Sequence, residues 1–143
     1  MKQVSKTAAK VLDILTADLD DESRSKKVDN TNGTFMPVSV ELIRTVCGGK
    51  HKYFSVCHYY EQNGDLMRDP EIVFLQVVLT NLNGDFNYYF PVSYRQDGLG
   101  IDREYCKYDD DGKIIGVATK QQADTASFCT MWMRNIKHQQ KLR

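Results

Sequence analysis

The spacing of turn dipeptides constrains this chain more than any other feature. Asn63-Gly64, Asn83-Gly84 and Asp111-Gly112 fall between runs rich in aromatic and β-branched residues. Asn, Asp and Gly tolerate positive φ, so each pair signals a hairpin. Adjacent strands joined this way pair antiparallel and need no crossover helix. The region 35–119 is therefore expected to be a meander, with strands at 38–42, 53–60, 71–79, 87–94, 101–108 and 113–117. In the first, Val38, Val40 and Leu42 alternate with Ser39 and Glu41, and Gly48-Gly49 then reverses the chain. A helix over 40–47 capped by Gly48 is the competing reading, but the β-branched content favours a strand. Pro70 is placed at the start of the third strand, where its missing N–H does least harm.

The two ends have a different period. Val4, Ala8, Val11, Leu12, Leu15 and Leu19 make one apolar stripe of a helix over 4–19. Phe128, Cys129, Trp132 and Ile136 do the same for a helix over 120–141, with Thr119 and Gln122 at capping-box spacing. Residues 20–34 hold one aliphatic side chain, Val28, and read as a polar linker. A sheet with one apolar face must have that face covered, and the two helices are the available cover. The expected fold is a single α+β domain over 1–143: an antiparallel meander sheet of five or six strands, with N-terminal and C-terminal helices packed on one face. Trp132 and Phe128 are then core anchors.

Nineteen Lys and Arg balance nineteen Asp and Glu across 143 residues. That argues against a non-specific nucleic-acid coat, which needs a basic excess. The last ten residues nevertheless carry four Lys or Arg and no acid. Arg134, Lys137, His138, Lys141 and Arg143 suit a helix C-terminus, with an anion contact as the alternative reading. Lys6, Lys10 and Asp13 interrupt every apolar window near the start, so no export signal or membrane span is expected and the chain is placed in the cytoplasm. Cys47, Cys57, Cys106 and Cys129 form no C-x-x-C pair, and all four are expected as reduced, structural thiols. A nucleophilic Cys57 beside His58 is disfavoured, because neighbours on a strand face opposite ways.

The densest polar stretch, 58–71, turns at Asn63-Gly64. A two-residue turn sets Gln62 against Asp65, Glu61 against Leu66, Tyr60 against Met67, Tyr59 against Arg68 and His58 against Asp69. His58 would then gain a carboxylate neighbour and hold its proton more firmly. The candidate polar site is His58, Glu61, Asn63, Asp65, Asp69 and Asp97. A divalent metal could use His58, Glu61, Asp69 and Asp97, but the spacing matches no zinc signature. A braced polar hairpin is the alternative. Gly98-x-Gly100 lacks the rest of a phosphate loop, and Asp109-Asp110-Asp111-Gly112 lacks calcium-loop spacing. No metal or cofactor is expected, and no catalytic residue is assigned.

HYYEQNGDLMRDPEIVFL at 58–75, YFPVSYRQDGLG at 89–100 and FCTMWMRNIKHQQ at 128–140 together resemble a family of small bacterial proteins of unknown function, often carried on plasmids, conjugative elements and phages. The resemblance implies a bacterial cytoplasmic setting and points to His58, Glu61, Asn63, Gly64, Asp65, Asp69, Pro70, Asp97 and Gly100. It assigns no chemistry. The resulting expectation is an accessory module, monomeric or homodimeric, that binds a protein or nucleic-acid partner, with outward-facing tyrosines contributing to the contact. The rival is a metal-dependent nuclease or phosphodiesterase on the 58–71 hairpin. A third reading stacks bases on tyrosines of the sheet face, beside Lys52 and Arg95.

Overall fold

The computed structural model describes residues 1–143. In chain order the elements are α1 (Lys6–Thr16), β1 (Ser25–Val28), β2 (Val38–Val46), β3 (His51–Gln62), β4 (Asp65–Asn81), β5 (Gly84–Gln96), β6 (Ile101–Glu104), β7 (Cys106–Tyr108), β8 (Ile114–Val117) and α2 (Thr119–Gln139). Strands β1 to β6 form one antiparallel sheet in sequence order, and β7 and β8 form a separate pair. The fold is thus α+β and the sheet is a meander, as expected.

The sixth strand is not the expected one. The polar linker supplies it: Ser25–Val28 pairs with β2 in the register Ser25 to Glu41 and Val28 to Val38. A short, lysine-containing strand suits a sheet edge, which needs few apolar residues and resists pairing with other chains. The rest of the linker is tied down by α2. Gln140, fully buried, accepts from the Asn30 N–H at 2.8 Å and donates to the Met36 carbonyl at 3.2 Å. The strand expected over 101–108 breaks at Tyr105. That buried side chain bonds Thr125 on α2, while its N–H donates to Val92 and its carbonyl accepts from Ala118. Beyond it the chain leaves the sheet plane as the β7–β8 hairpin.

Most of the core lies between the sheet and both helices. Nineteen buried residues make it up, including Ala8, Leu12 and Leu15 of α1, Val38, Val40 and Leu42 of β2, Phe54, Ile72, Phe74 and Tyr89 of the central strands, and Cys129, Trp132, Met133 and Ile136 of α2. Burying each large apolar side chain stabilises the fold by about 1.5–3 kcal/mol, so this layer dominates. Ser5 starts α1 by accepting from the Ala8 N–H at 3.2 Å. The capping box expected for α2 is absent, because Ala118 is its N-cap. Gln122 is instead buried, donating to the Pro91 carbonyl at 2.9 Å and accepting from the Lys2 N–H. The sheet also carries a second, smaller apolar face. Tyr53, Leu75, Val92 and Cys106 pack there under Tyr108, Ile114 and Val117, so the hairpin covers what the helices leave open.

Candidate functional site

The 58–71 hairpin forms with the expected register near its turn. Gln62 opposes Asp65, Glu61 opposes Leu66, Tyr60 opposes Met67 and Tyr59 opposes Arg68. Asn63 and Gly64 take φ of 53° and 84°, the mirror-image turn that matches strand twist. The register then shifts, and Cys57 next opposes Glu71. Asp69 and Pro70 together face His58 alone, a bulge that proline tolerates because it has no N–H to pair.

This shift overturns the expected pairing of His58 with Asp69. His58 is buried, its Nδ1–H donates to the Pro37 carbonyl at 3.1 Å, and its ring stands edge-on to Trp132 with centroids 5.7 Å apart. Burial pushes the imidazole below its usual range. The Pro37 hydrogen bond and the Asp69 charge oppose that more weakly, so the expected rise in basicity becomes a fall. Asp69 accepts from Gln96 Nε2 at 2.8 Å. Asp97 is held by Arg68 through the backbone N–H at 2.8 Å, Nε at 3.0 Å and a second guanidinium nitrogen at 2.9 Å. These bonds hold the Asp97 carboxyl below its usual range. Glu61, Asn63 and Asp65 are exposed near the hairpin tip. Nowhere do three His, Cys, Asp or Glu side chains come together with the disposition of a metal site. Of the six candidates, Asp69 and Asp97 thus tie the hairpin to the 96–100 turn, where a Cβ on Gly98 would meet the Tyr60 hydroxyl at 2.5 Å.

Other expected sites also resolve into structure. Cys57 is buried and its thiol is pushed up to about 12 by burial. Cys106 and Cys129 are buried too, whereas Cys47 is exposed, so only three cysteines behave as expected. No tyrosine is exposed: Tyr53, Tyr89 and Tyr105 are buried and the other five are half-buried. Arg95, proposed as a cation beside stacking rings, is taken up by Glu71, Asp102 and Glu104.

A different feature stands open. Helices α1 and α2 pack side by side, joined where Thr130 Oγ1 meets Ser5 Oγ at 3.0 Å, with Thr7 Oγ1 a further 3.2 Å on. Between them lies a cleft of about 750 Å³. Thr7, Lys10, Val11 and Ile14 of α1 form one wall, at the i, i+3, i+4, i+7 spacing that makes a single helix face. Thr130, Arg134, Lys137 and His138 form the other, and Arg143 also lines the space. No Asp or Glu lines this space. Lys10, Arg134, Lys137 and Arg143 belong to no ion pair, whereas Arg24, Lys26, Arg68 and Arg95 are all paired elsewhere. Asp13, the nearest α1 acid in sequence, is turned away and accepts from Tyr89 and Asn87. The sequence marks half of this cleft in its C-terminal charge run. It does not mark Lys10 and Thr7, which only helix packing brings opposite that run.

A family model described as a domain of unknown function, DUF6908, matches residues 6–142. No curated protein and no solved structure matches the chain.

Proposed function

The chain belongs to the DUF6908 family of domains of unknown function, and we propose that it is a binding module whose α1–α2 cleft takes an anionic macromolecule. One observation carries this reading: four basic side chains line one concave space with no Asp or Glu among them. Gathering like charges is unfavourable unless a counter-charge joins them. Arg68 and Arg95, by contrast, each sit against acids. Thr7 adds a hydroxyl of the kind that meets phosphate oxygens, while the Thr130 hydroxyl donates to Ser5 Oγ. The sequence resemblance supplies the setting, an accessory protein of bacterial mobile elements in the cytoplasm, with a macromolecular partner.

Chromatography on immobilised heparin tests the reading. The formal net charge is zero, so retention near neutral pH depends on local charge. Wild type is expected to be retained at low salt, and Lys10→Glu with Arg134→Glu is expected to flow through with an unchanged circular-dichroism spectrum. Equal elution of the two proteins would overturn the assignment of the cleft.

A further inference from the structure

We propose that the unpaired edge of β5 beside α1 takes an extended segment of a partner protein, one that turns a carboxylate and a cation, two residues apart, towards α1. This site is separate from the α1–α2 cleft, and only Lys10 lines both. A groove of about 470 Å³ lies here, lined on one side by Asp85, Phe86, Asn87, Tyr88 and Tyr89. Successive strand side chains face opposite ways, so five consecutive residues share one space only along the edge of the strand. That edge is open. β4 pairs with β5 along one side, whereas β6 pairs on the other only with Ser93–Gln96.

The backbone of this edge fits a peptide. The Tyr89 carbonyl accepts from the Val4 N–H at 2.9 Å, and the Pro91 carbonyl accepts from Gln122 at 2.9 Å. Neither donor is on β4. A strand residue turns its N–H and C=O to the same side, and alternate residues share that side. Asp85 and Asn87 therefore present both groups to the groove, and no protein group outside the sheet bonds them. Val4 already meets this edge as an added strand would, at the end of the row that Asp85 and Asn87 continue. A row of alternating main-chain donors and acceptors is matched by another extended backbone.

Charge selects the segment. Lys6, Ala9, Lys10 and Asp13 fall at the i, i+3, i+4, i+7 spacing of one helix face, and that face of α1 is the second wall. Lys6, Lys10 and Asp13 belong to no ion pair, so opposite charges share one space without closing on each other. Asp13 accepts from Tyr89 at 2.6 Å and from Asn87 at 2.9 Å, both on Oδ1. Its Oδ2 is left for a ligand. Along the helix axis Asp13 stands about 4.5 Å from Lys10 and about 10 Å from Lys6. Side chains two apart on a strand are separated by about 6.6 Å, within that interval. A carboxylate then meets the lysines and a cation meets Asp13. A segment of one sign meets a like charge at one end of the groove.

Fluorescence anisotropy tests the proposal with a labelled, end-blocked peptide of Thr and Val carrying one Glu and one Lys two positions apart. Two forms of it are N-methylated on alternate amides, one form for each alternate set. An added strand turns only one set towards β5, so one form is expected to bind about tenfold more weakly and the other to bind like the parent. Peptides with two Glu or two Lys are expected to bind severalfold more weakly than the parent. Asp85→Pro removes an edge N–H without touching the ladder to β4, and Lys6→Glu reverses a charge outside the α1–α2 cleft. Each is expected to weaken binding severalfold while retention on heparin stays unchanged. Lys107→Gln, which removes an exposed cation on β7, is expected to change neither. Absence of parent binding at millimolar peptide overturns the proposal. So does equal binding of the two N-methylated forms, and so does a peptide of one sign binding as tightly as the parent. Loss of heparin retention in Lys10→Glu with Arg134→Glu bears on the cleft alone and leaves this site standing if the peptide still binds Lys107→Gln and wild type alike.

Discussion

Arg68 grips Asp97 through three hydrogen bonds, two from its guanidinium and one from its own backbone N–H. The contact joins the β3–β4 hairpin to the turn after β5, 29 positions away in sequence. It converts one residue from each of two recognisable segments, 58–75 and 89–100, into a brace.

Replacing Asp97 with Asn keeps the shape and removes the charge. Charge-assisted hydrogen bonds contribute more than neutral ones, but the Arg68 side chain is 37% exposed, and solvent screens the pair. The expected cost is about 1 kcal/mol at neutral pH, read from urea denaturation. The Asp97 carboxyl is depressed in the folded state. Its contribution is therefore complete above the unfolded value of about 3.9 and is lost as pH falls through the lower folded value. The difference between wild type and Asp97→Asn should shrink on acidification. A constant difference down to acid unfolding would show that the charge contributes nothing.

His58 gives the second prediction, with its window near neutrality. Burial lowers its folded pKa, so the unfolded chain takes up the proton first. Stability is fully present above about 6.5, the unfolded value, and declines as pH falls from there towards the depressed folded value. His58→Phe leaves the Pro37 carbonyl without its donor, at a cost of about 1 kcal/mol at pH 7.5, but it abolishes this decline. Unfolding free energies measured at several pH values below 7 should converge for the two proteins. Curves that stay parallel would refute the assignment.

The strands were legible because alternating side chains and Asn-Gly turns act locally, and the helices because each apolar stripe repeats within one segment. The pairing of His58 with Asp69 was misread because a bulge is a property of two strands together. Pro70 marked a place where pairing could fail, but not that two residues would oppose one. The edge strand Ser25–Val28 was misread because an edge needs so little burial that its composition resembles a linker. The cleft was half legible. Arg134, Lys137 and His138 stand within one run, whereas Lys10 stands more than a hundred residues away. Nothing local to either helix says that those two faces meet.

Gln140 yields the third prediction. Its side chain is fully buried and satisfies the Asn30 N–H and the Met36 carbonyl. Gln140→Ala leaves both groups without this partner. The expected cost is about 1–3 kcal/mol, the penalty for unpaired buried polar groups. It should fall first on one segment. Hydrogen exchange of residues 29–37 should accelerate while the amides of β3 and β4 stay protected, since local opening there leaves the main core intact. Uniform acceleration across the sheet would mean instead that Gln140 supports the whole fold.

The last prediction concerns salt. With an oligonucleotide single strand as the polyanionic probe, binding through phosphates releases counterions, and the logarithm of the binding constant falls by about 0.7 for each phosphate neutralised, per logarithm of salt. Lys10 lines one wall, and Arg134 and Lys137 line the other. If each neutralises one phosphate, the slope between about 50 and 200 mM salt is about −2. Lys10→Gln should make it shallower by about 0.7, as should Lys137→Gln, because each removes one contact. A contact made without these cations would behave differently: the slope would be near zero and insensitive to Lys10. The slope measures how many charges meet the ligand, and its change in each variant identifies which ones. A slope well beyond −2 that Lys10→Gln leaves unchanged would place the phosphates on other cations and empty the cleft of its role.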